Sequence, residues 1–227
     1  MRLGTPRLHL RSIGSTNTRA RELAEAGAPH GTLVSAGEQT AGRGRQGRSW
    51  VTPPGSAIAT SLIVREFDAL LPLRAGLAVA NVAGAGARVK WPNDVLLDGR
   101  KVAGVLAEAH GADWAVLGIG VNVALDLATL PDDVAAVAGT LGRAPDDIEP
   151  TLDELLTALT ARLAEPAGAT LAALRERDAL LGQPLRWRDG AGVGAGIDEH
   201  GALRVTRPDG STATLSAGEV HLTRAAS

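Results

Sequence analysis

The spacing of apolar and polar positions divides the chain into helical and extended segments. Helical composition predicts four helices, and glycines near the ends of the first and last, Gly27 and Gly182, are typical of helix C-termini. The helices are predicted over Thr18–Ala26, Leu73–Ala83, Thr151–Leu163 and Thr170–Leu180. Apolar runs rich in branched residues predict strands over Leu8–Leu10, Thr32–Ala36, Ala57–Val64, Arg88–Lys90 and Trp114–Val123.

A hairpin is predicted where Val95–Leu97 and Lys101–Glu108 flank Asp98-Gly99, because an Asp-Gly pair suits a type I′ turn. After Leu185 the chain becomes a series of short alternating segments separated by turn residues, which favours a small β-barrel. We therefore expect an α+β fold with a boundary near Gly182, giving domains 1–181 and 182–227.

Composition limits the function further. The 227 residues carry a formal net charge of -2, which argues against a general nucleic-acid binder. The chain has no cysteine, so disulfides, thiolate nucleophiles and thiolate metal sites are excluded. Its apolar runs are too short to span a bilayer and it begins with no signal pattern, so we predict a cytoplasmic protein without a membrane partner.

One segment, which we call the glycine-arginine loop (Gly37–Trp50), concentrates positive charge. Three arginines alternate with glycines there, and no acidic residue occurs between Glu38 and Glu66. Glycine permits close backbone approach, and guanidinium groups present forked donors to carboxylate or phosphate. The pattern favours a loop that wraps an anion over an incidental solvated loop.

The same loop matches two phosphate-binding patterns by coincidence. Gly42–Gly47 fits the dinucleotide pattern G-x-G-x-x-G, and Gly42–Ser49 resembles a P-loop. Both patterns require a helix that starts inside the loop and offers its N-terminal amides to the phosphates. Pro53-Pro54-Gly55 follows shortly afterwards and cannot continue a helix, so neither fold is expected.

Several polar residues outside this loop are further candidates for a functional site. Lys90 and Lys101 are the only lysines among 23 basic residues, so each is a candidate for a role that needs a compact ammonium. Ser15-Thr16-Asn17 precedes the first helix, where it serves as an N-cap, a ligand site or both. Glycines before Asn122 thin the predicted strand and indicate close approach of a backbone or ligand.

Taken together, these motifs resemble the biotin protein ligase family. The resemblance rests on Ser15-Thr16-Asn17, the glycine-arginine loop, Lys90-Trp91-Pro92-Asn93-Asp94, Gly99-Arg100-Lys101 and Gly118-Ile119-Gly120-Val121-Asn122, in that order. It implies an α+β fold of the class II synthetase-like type, with a mixed sheet, flanking helices and a small C-terminal SH3-like barrel. The few residues before Ser15 imply a ligase without the DNA-binding domain of some members.

The resemblance implies biotin and ATP as substrates, with Mg²⁺ accompanying ATP. Biotinyl-5′-AMP forms first, and a lysine of a biotin carboxyl carrier domain then takes the biotin. A weak or ligand-linked homodimer is also expected, and no nucleic-acid partner. Because both nucleophiles belong to substrates, the enzyme must position and neutralise two anions. The five histidines show no ligand spacing, so no protein-bound metal is predicted.

Residue roles follow from the resemblance as expectations. Arg43, Arg45, Lys101 and Asp94 are predicted to be catalytic. Biotin is expected to contact Ser15, Thr16, Asn17, Gln39, Gly42, Arg43, Arg45 and Lys101. The nucleotide is expected to contact Arg45, Arg48, Trp50, Lys90, Asn93, Lys101 and Asn122. Structural alternatives stay open: Trp91 is favoured as a core residue, Asp94 is equally suited to capping a turn, and Lys90 to a structural ion pair.

Two other functions compete with this interpretation. A lipoate or octanoate transferase of the same broad fold would need room for a longer acyl chain, and its motifs are not seen beyond the loop. A nucleic-acid-binding module would need several stacking aromatics near the arginines, and only Trp50 is close in sequence.

Overall fold

A seven-stranded mixed sheet forms the centre of the molecule in the computed structural model, which describes residues 2–50 and 53–223. The sheet order is β1-β2-β3-β7-β6-β5-β4, and β1 and β2 are parallel while the other neighbours are antiparallel. Its strands are β1 (Arg7–Leu10), β2 (Leu33–Ala36), β3 (Ala57–Val64), β4 (Arg88–Lys90), β5 (Asp94–Leu97), β6 (Arg100–His110) and β7 (Trp114–Asn122).

The predicted hairpin is confirmed as β5–β6. Asp98 and Gly99 have φ values of 51° and 75°, so both turn residues are left-handed, as a type I′ turn requires. Strand β6 runs two residues further than predicted and pairs with β7 from Ala103 to His110. This long pairing places the residues after the turn at the centre of the sheet.

All four predicted helices are present. They are α1 (Thr16–Glu25), α2 (Leu71–Ala83), α4 (Ile148–Ala164) and α5 (Ala167–Arg177). A short helix, α3 (Asp132–Ala135), has no counterpart in the predicted elements. Helix α1 begins two residues earlier than predicted, because Ser15 takes the extended N-cap conformation with φ -152° and ψ 131°.

The apolar core lies between the sheet, α2 and α4. Leu62, Leu77, Leu117 and Leu155 are almost completely buried within one continuous cluster. Trp91 is only 3% exposed and its Nε1 donates to the Gly201 carbonyl at 3.0 Å, which confirms its prediction as a core residue.

The C-terminal residues form a second, five-stranded antiparallel sheet in the order β11-β10-β9-β8-β12. Its strands are β8 (Pro184–Trp187), β9 (Gly190–Ile197), β10 (Leu203–Thr206), β11 (Thr212–Leu215) and β12 (His221–Leu222). The predicted barrel is confirmed only as this sheet, because β11 and β12 lie at opposite edges and share no pairing within the described part of the chain. Leu185 and Leu203 join the main core cluster, and the boundary near Gly182 stays a prediction.

The side chain of Arg177 caps the C-terminus of helix α2. Arg177 Nη1 donates to the carbonyls of Ala80, Gly84 and Ala87 at 3.0, 2.9 and 3.3 Å. These carbonyls lie at and beyond the C-terminus of α2, where a cation also complements the helix dipole. The contact ties α5 to α2.

We predict that Arg177→Ala lowers the free energy of unfolding by about 2 kcal/mol, since half-buried carbonyls lose a charged donor. Urea denaturation followed by circular dichroism measures the change. Arg175→Ala is the control, because Arg175 is an exposed arginine of the same helix. Equal stability of the two variants would contradict the capping role.

Candidate functional site

A cavity of about 420 Å³ opens beside β3, β6 and β7. The start of α1, the glycine-arginine loop and residues 125–138 complete its walls. Eleven of the sequence-predicted site residues line it: Ser15, Thr16, Asn17, Gln39, Arg43, Arg45, Arg48, Trp50, Asn93, Lys101 and Asn122. Three others, Gly42, Lys90 and Asp94, do not line the cavity directly.

The glycine-arginine loop folds as a miniature hairpin. Trp50 N donates to Gly42 O at 2.9 Å, and Gly44 N donates to Arg48 O at 2.7 Å. Gln46 and Gly47 at the tip have φ values of 55° and 76°, a pair that favours glycine. No α-helix starts in this loop, so the dinucleotide and P-loop interpretations are excluded structurally as well.

Trp50 closes the base of this hairpin against the sheet. An alanine Cβ at Gly120 would lie 2.4 Å from Trp50 Cε2, so the indole rests directly on the backbone of β7. Lys101 Nζ lies 5.6 Å from the ring centroid, within cation–π range. The Trp50 Nε1 donor is buried and has no hydrogen-bond partner within residues 2–50 and 53–223. The β7 glycines thus admit a side chain, where the sequence predicted close approach of a backbone or ligand.

The first two arginines of the loop contact different elements. Arg43 Nη2 lies 2.9 Å from Glu108 Oε1 on β6, and Arg45 Nη1 donates to Asn93 Oδ1 at 3.2 Å. Burial lowers the pKa of the Arg45 guanidinium from its ordinary value, and the carboxylate of Asp94 partly opposes this effect. Arg45 therefore carries its charge in a partly desolvated place.

Arg48 reaches the C-terminal sheet instead. Its guanidinium forms an ion pair with Glu219, which precedes β12. Arg48 side-chain exposure is 58%, so a phosphate group can still approach it. Its predicted role in holding the β- and γ-phosphates stays a prediction.

Lys101 points along the cavity from β6. Its Nζ lies 2.7 Å from Asp94 Oδ1, and Asp94 is the first residue of β5 rather than a turn cap. Lys90, on β4, faces Asp94 across the ladder and is half-buried. Burial lowers the pKa of the Lys90 ammonium, while Asp94 partly offsets the shift. Asp94 thus stands between two lysines, of which Lys101 alone enters the cavity.

Neutral polar groups gather at the start of α1. Gln39 Oε1 accepts from Thr16 N at 2.8 Å and from Thr16 Oγ1 at 3.0 Å. Ser15 Oγ is buried and makes no hydrogen bond to any described residue, although Ser15 holds the N-cap position. Ser61 Oγ lies 2.8 Å from Thr16 Oγ1 and 2.6 Å from Asn17 Oδ1. A fixed array of donors and acceptors results.

Asn17 is packed as tightly as Trp50. An alanine Cβ at Gly118 would lie 2.1 Å from Asn17 Oδ1, so only glycine allows this side chain to lie against β7. Asn17 Nδ2 donates to Glu108 Oε2 at 2.8 Å. Glu108 and Ser61 were not among the predicted site residues. Glu108 is the one acidic residue of β6, a signal that could have identified it.

The remaining wall comes from residues 125–138, which lie outside every predicted helix and strand. Asn122 Nδ2 donates to Gly139 O at 2.8 Å, and Lys101 N donates to Val137 O at 2.8 Å. These contacts fasten the segment to the sheet and give Asn122 a structural role beside its predicted ligand role. Val137 lines the cavity although it is 59% exposed.

Chemically, the cavity combines an electropositive end with a neutral polar end. The guanidinium groups and Lys101 suit carboxylate and phosphate oxygens, and the α1 cluster suits a small uncharged polar group. No group of three or more His, Cys, Asp or Glu residues is placed to hold a metal ion in residues 2–50 or 53–223. In the same residues, no helix has the length and apolar character needed to cross a membrane.

Comparisons of sequence and of structure with known proteins all find protein ligases of one family. Residues 9–122 match the Biotin/lipoate A/B protein ligase family. The chain is 38% identical to a biotin–[acetyl-CoA-carboxylase] ligase from Paracoccus denitrificans, with 86% of this chain and 92% of that one covered. It is 36% identical to the ligase of the same name from Mycobacterium tuberculosis, covering 91% and 85%. Among solved structures, the Aquifex aeolicus biotin protein ligase in complex with biotin and ATP superposes with a TM-score of 0.84 at 28% identity, over 97% of this chain and 100% of that one.

Proposed function

The chain belongs to the Biotin/lipoate A/B protein ligase family, and from this premise we propose that it is an ATP-dependent biotin protein ligase. It activates biotin as biotinyl-5′-AMP and transfers the biotinyl group to a lysine of a biotin carboxyl carrier domain. The observation that carries the proposal is a single cavity in which three arginines and Lys101 face a neutral polar cluster.

The first step joins two anions. A carboxylate oxygen of biotin attacks the α-phosphorus of ATP, a P–O bond forms, and the bond to the departing pyrophosphate breaks. Arg45 and Lys101 both line this cavity and would lie where the oxygen and the phosphate meet. Arg43 and the Gly42 and Gly44 backbone would hold the carboxylate, and Arg48 would meet the β- and γ-phosphates. Removal of charge repulsion is the main contribution of the protein.

In the second step the neutral amine of the carrier lysine attacks the acyl carbon of the mixed anhydride. The C–N bond forms as the C–O bond to AMP breaks, and the amine gives up a proton. Asp94 is our candidate for orienting this amine, because its carboxylate lies 2.7 Å from Nζ of Lys101, which lines the cavity. Lys90 and Asn93 would act beside it on the nucleotide side.

The polar cluster favours biotin over lipoate. The ureido ring of biotin offers two N–H donors and one carbonyl acceptor, which match the buried Ser15 hydroxyl and the groups of Thr16, Asn17 and Gln39. A dithiolane ring would leave the buried Ser15 hydroxyl, which has no partner among the described residues, unpaired, and that is costly. The alternative of a lipoate or octanoate transferase is therefore not favoured.

Nucleotide recognition has its own candidates. Trp50 offers a flat ring and an unpartnered Nε1 donor to adenine or biotin, and Asn122 lies at the adjoining wall. Mg²⁺ would enter with ATP on its phosphates, and residues of the chain would neutralise the remaining charge. We further propose a cytoplasmic location, action without nucleic acid or membrane, and a weak or ligand-linked homodimer. An SH3-like closure of the C-terminal sheet remains part of the same proposal.

The test is incubation of the protein with biotin, Mg²⁺-ATP and a purified carrier domain, followed by intact mass measurement. We expect the carrier to gain one biotinyl group, only when ATP is present. A carrier whose acceptor lysine is replaced by arginine is the control. A mass gain from lipoate or octanoate, with none from biotin, would overturn the proposal.

A further inference from the structure

One carboxylate, that of Glu108, contacts two cavity-lining side chains from different parts of the chain, Asn17 and Arg43. Glu108, on β6, accepts a hydrogen bond from Asn17 Nδ2 through Oε2 at 2.8 Å. Its other oxygen, Oε1, lies 2.9 Å from Arg43 Nη2 in the glycine-arginine loop. The Glu108 side chain is 29% exposed, so it is partly buried. The start of α1 and the loop are therefore linked through one side chain.

The contact decides which way the Asn17 carboxamide faces. An ionised carboxylate only accepts hydrogen bonds, so it selects the amide orientation that presents Nδ2. Asn17 Oδ1 must then point to Ser61 Oγ, 2.6 Å away. Ser61 has one hydroxyl proton, so giving it to Asn17 withdraws it from Thr16 Oγ1, the alternative acceptor 2.8 Å away. The charge of Glu108 thus fixes the direction of the hydrogen bond between Asn17 and Ser61.

We propose that Glu108 is a positioning residue for biotin recognition, acting through Asn17 and Arg43. It locks the Asn17 carboxamide in the orientation that the ureido-binding cluster requires, and it holds Arg43 against β6. The inference rests on the proposed function, since it concerns the same cavity, and it adds a residue that does not itself line that cavity.

The packing around Asn17 makes the orientation consequential. Asn17 is only 5% exposed and lies against Gly118, where no Cβ would fit, so the side chain cannot move aside to recover a lost partner. A wrongly oriented amide would set two donors or two acceptors face to face in a buried place. An ion pair with a merely structural role would instead change stability and leave ligand recognition intact.

The test is Glu108→Gln, which keeps the shape of the side chain but adds a donor. We expect the Kd for biotin, measured by calorimetry, to rise about tenfold, as loss of a partly buried charged acceptor implies. In a pyrophosphate-release assay the KM for biotin should rise similarly, while kcat at saturating biotin stays within about threefold of the unsubstituted protein. Glu149→Gln is the matched control, because Glu149 pairs with Arg7 away from the cavity.

A double-mutant cycle identifies the route of action. In an Asn17→Ala background, the further loss of affinity from Glu108→Gln should be less than half of its value alone, because Asn17 transmits much of the effect. Glu108→Asp retains an acceptor-only charge and supplies the measurement if Glu108→Gln fails to fold. Its Kd should lie between those of the unsubstituted protein and Glu108→Gln.

Two results would overturn the inference. One is a biotin Kd for Glu108→Gln, or for Glu108→Asp if that variant has to be used, equal to that of the unsubstituted protein. The other is full additivity with Asn17→Ala. Failure of the proposed function gives a different result, since the unsubstituted protein itself would then show no heat of binding for biotin.

Discussion

Lys101→Ala should reduce biotin-dependent pyrophosphate release by a factor of about 10²–10³, equivalent to about 3–4 kcal/mol of transition-state stabilisation. Lys101 is the one lysine that lines the cavity, and its ammonium lies 2.7 Å from Asp94 Oδ1 and 5.6 Å from the ring centroid of Trp50. Negative charge develops where the biotin carboxylate meets the α-phosphate, and a compact cation there is worth most in a partly desolvated site. The measurement is the initial rate at saturating biotin and ATP.

Two controls separate chemistry from folding. Arg204→Ala removes an exposed strand cation in the C-terminal sheet and should leave the rate unchanged. Lys101→Arg keeps the charge, but its planar fork does not fit where a single ammonium lies 2.7 Å from Asp94, so it should recover only part of the rate. Pyrophosphate release by a folded Lys101→Ala protein at the unsubstituted rate would remove Lys101 from the reaction.

Gly120→Ala should weaken substrate binding by at least about tenfold, because the added methyl group displaces Trp50 from the sheet. The methyl carbon would lie 2.4–2.6 Å from three atoms of the indole, and the rigid strand β7 cannot move away from it. The displaced indole would enter the cavity or open its base. Calorimetric titration with biotin and with ATP measures the loss for each ligand.

Gly168→Ala is the matched control, since a Cβ at Gly168, in α5, would meet no atom within 4 Å. That variant should bind both substrates as the unsubstituted protein does and be slightly more stable, as alanine favours a helix. If Gly120→Ala also bound both substrates with unchanged affinity, Trp50 would not form part of the site.

The fold was predictable wherever local pattern decides structure. The type I′ turn at Asp98-Gly99 and the long apolar strand Ala57–Val64 follow from residue type alone, and both are present. The short helix α3 was not predicted, because its four residues carry too little periodicity to distinguish them from a loop. Closure of the C-terminal strands depends on pairing between distant residues, which a list of short alternating segments does not specify.

The candidate site was predictable where it consists of a continuous motif. The glycine-arginine loop and Ser15-Thr16-Asn17 both meet in one cavity. Glu108 and Ser61 were missed because their contacts join residues 91 and 44 positions apart, and a single polar residue in a strand shows no partner in the sequence. Lys90 belongs to the same motif as Asn93 but does not line the cavity: Lys90 ends β4, whereas Asn93 lies in the turn between β4 and β5.

The most direct test of the proposed chemistry is exchange of radiolabelled pyrophosphate into ATP, measured without any acceptor protein. If the loop arginines and Lys101 hold the biotin carboxylate against the α-phosphate, adenylate formation is reversible on the enzyme and label will enter ATP only when biotin is present. Exchange that proceeds equally without biotin, exchange that requires lipoate instead, or no exchange by folded protein would contradict it.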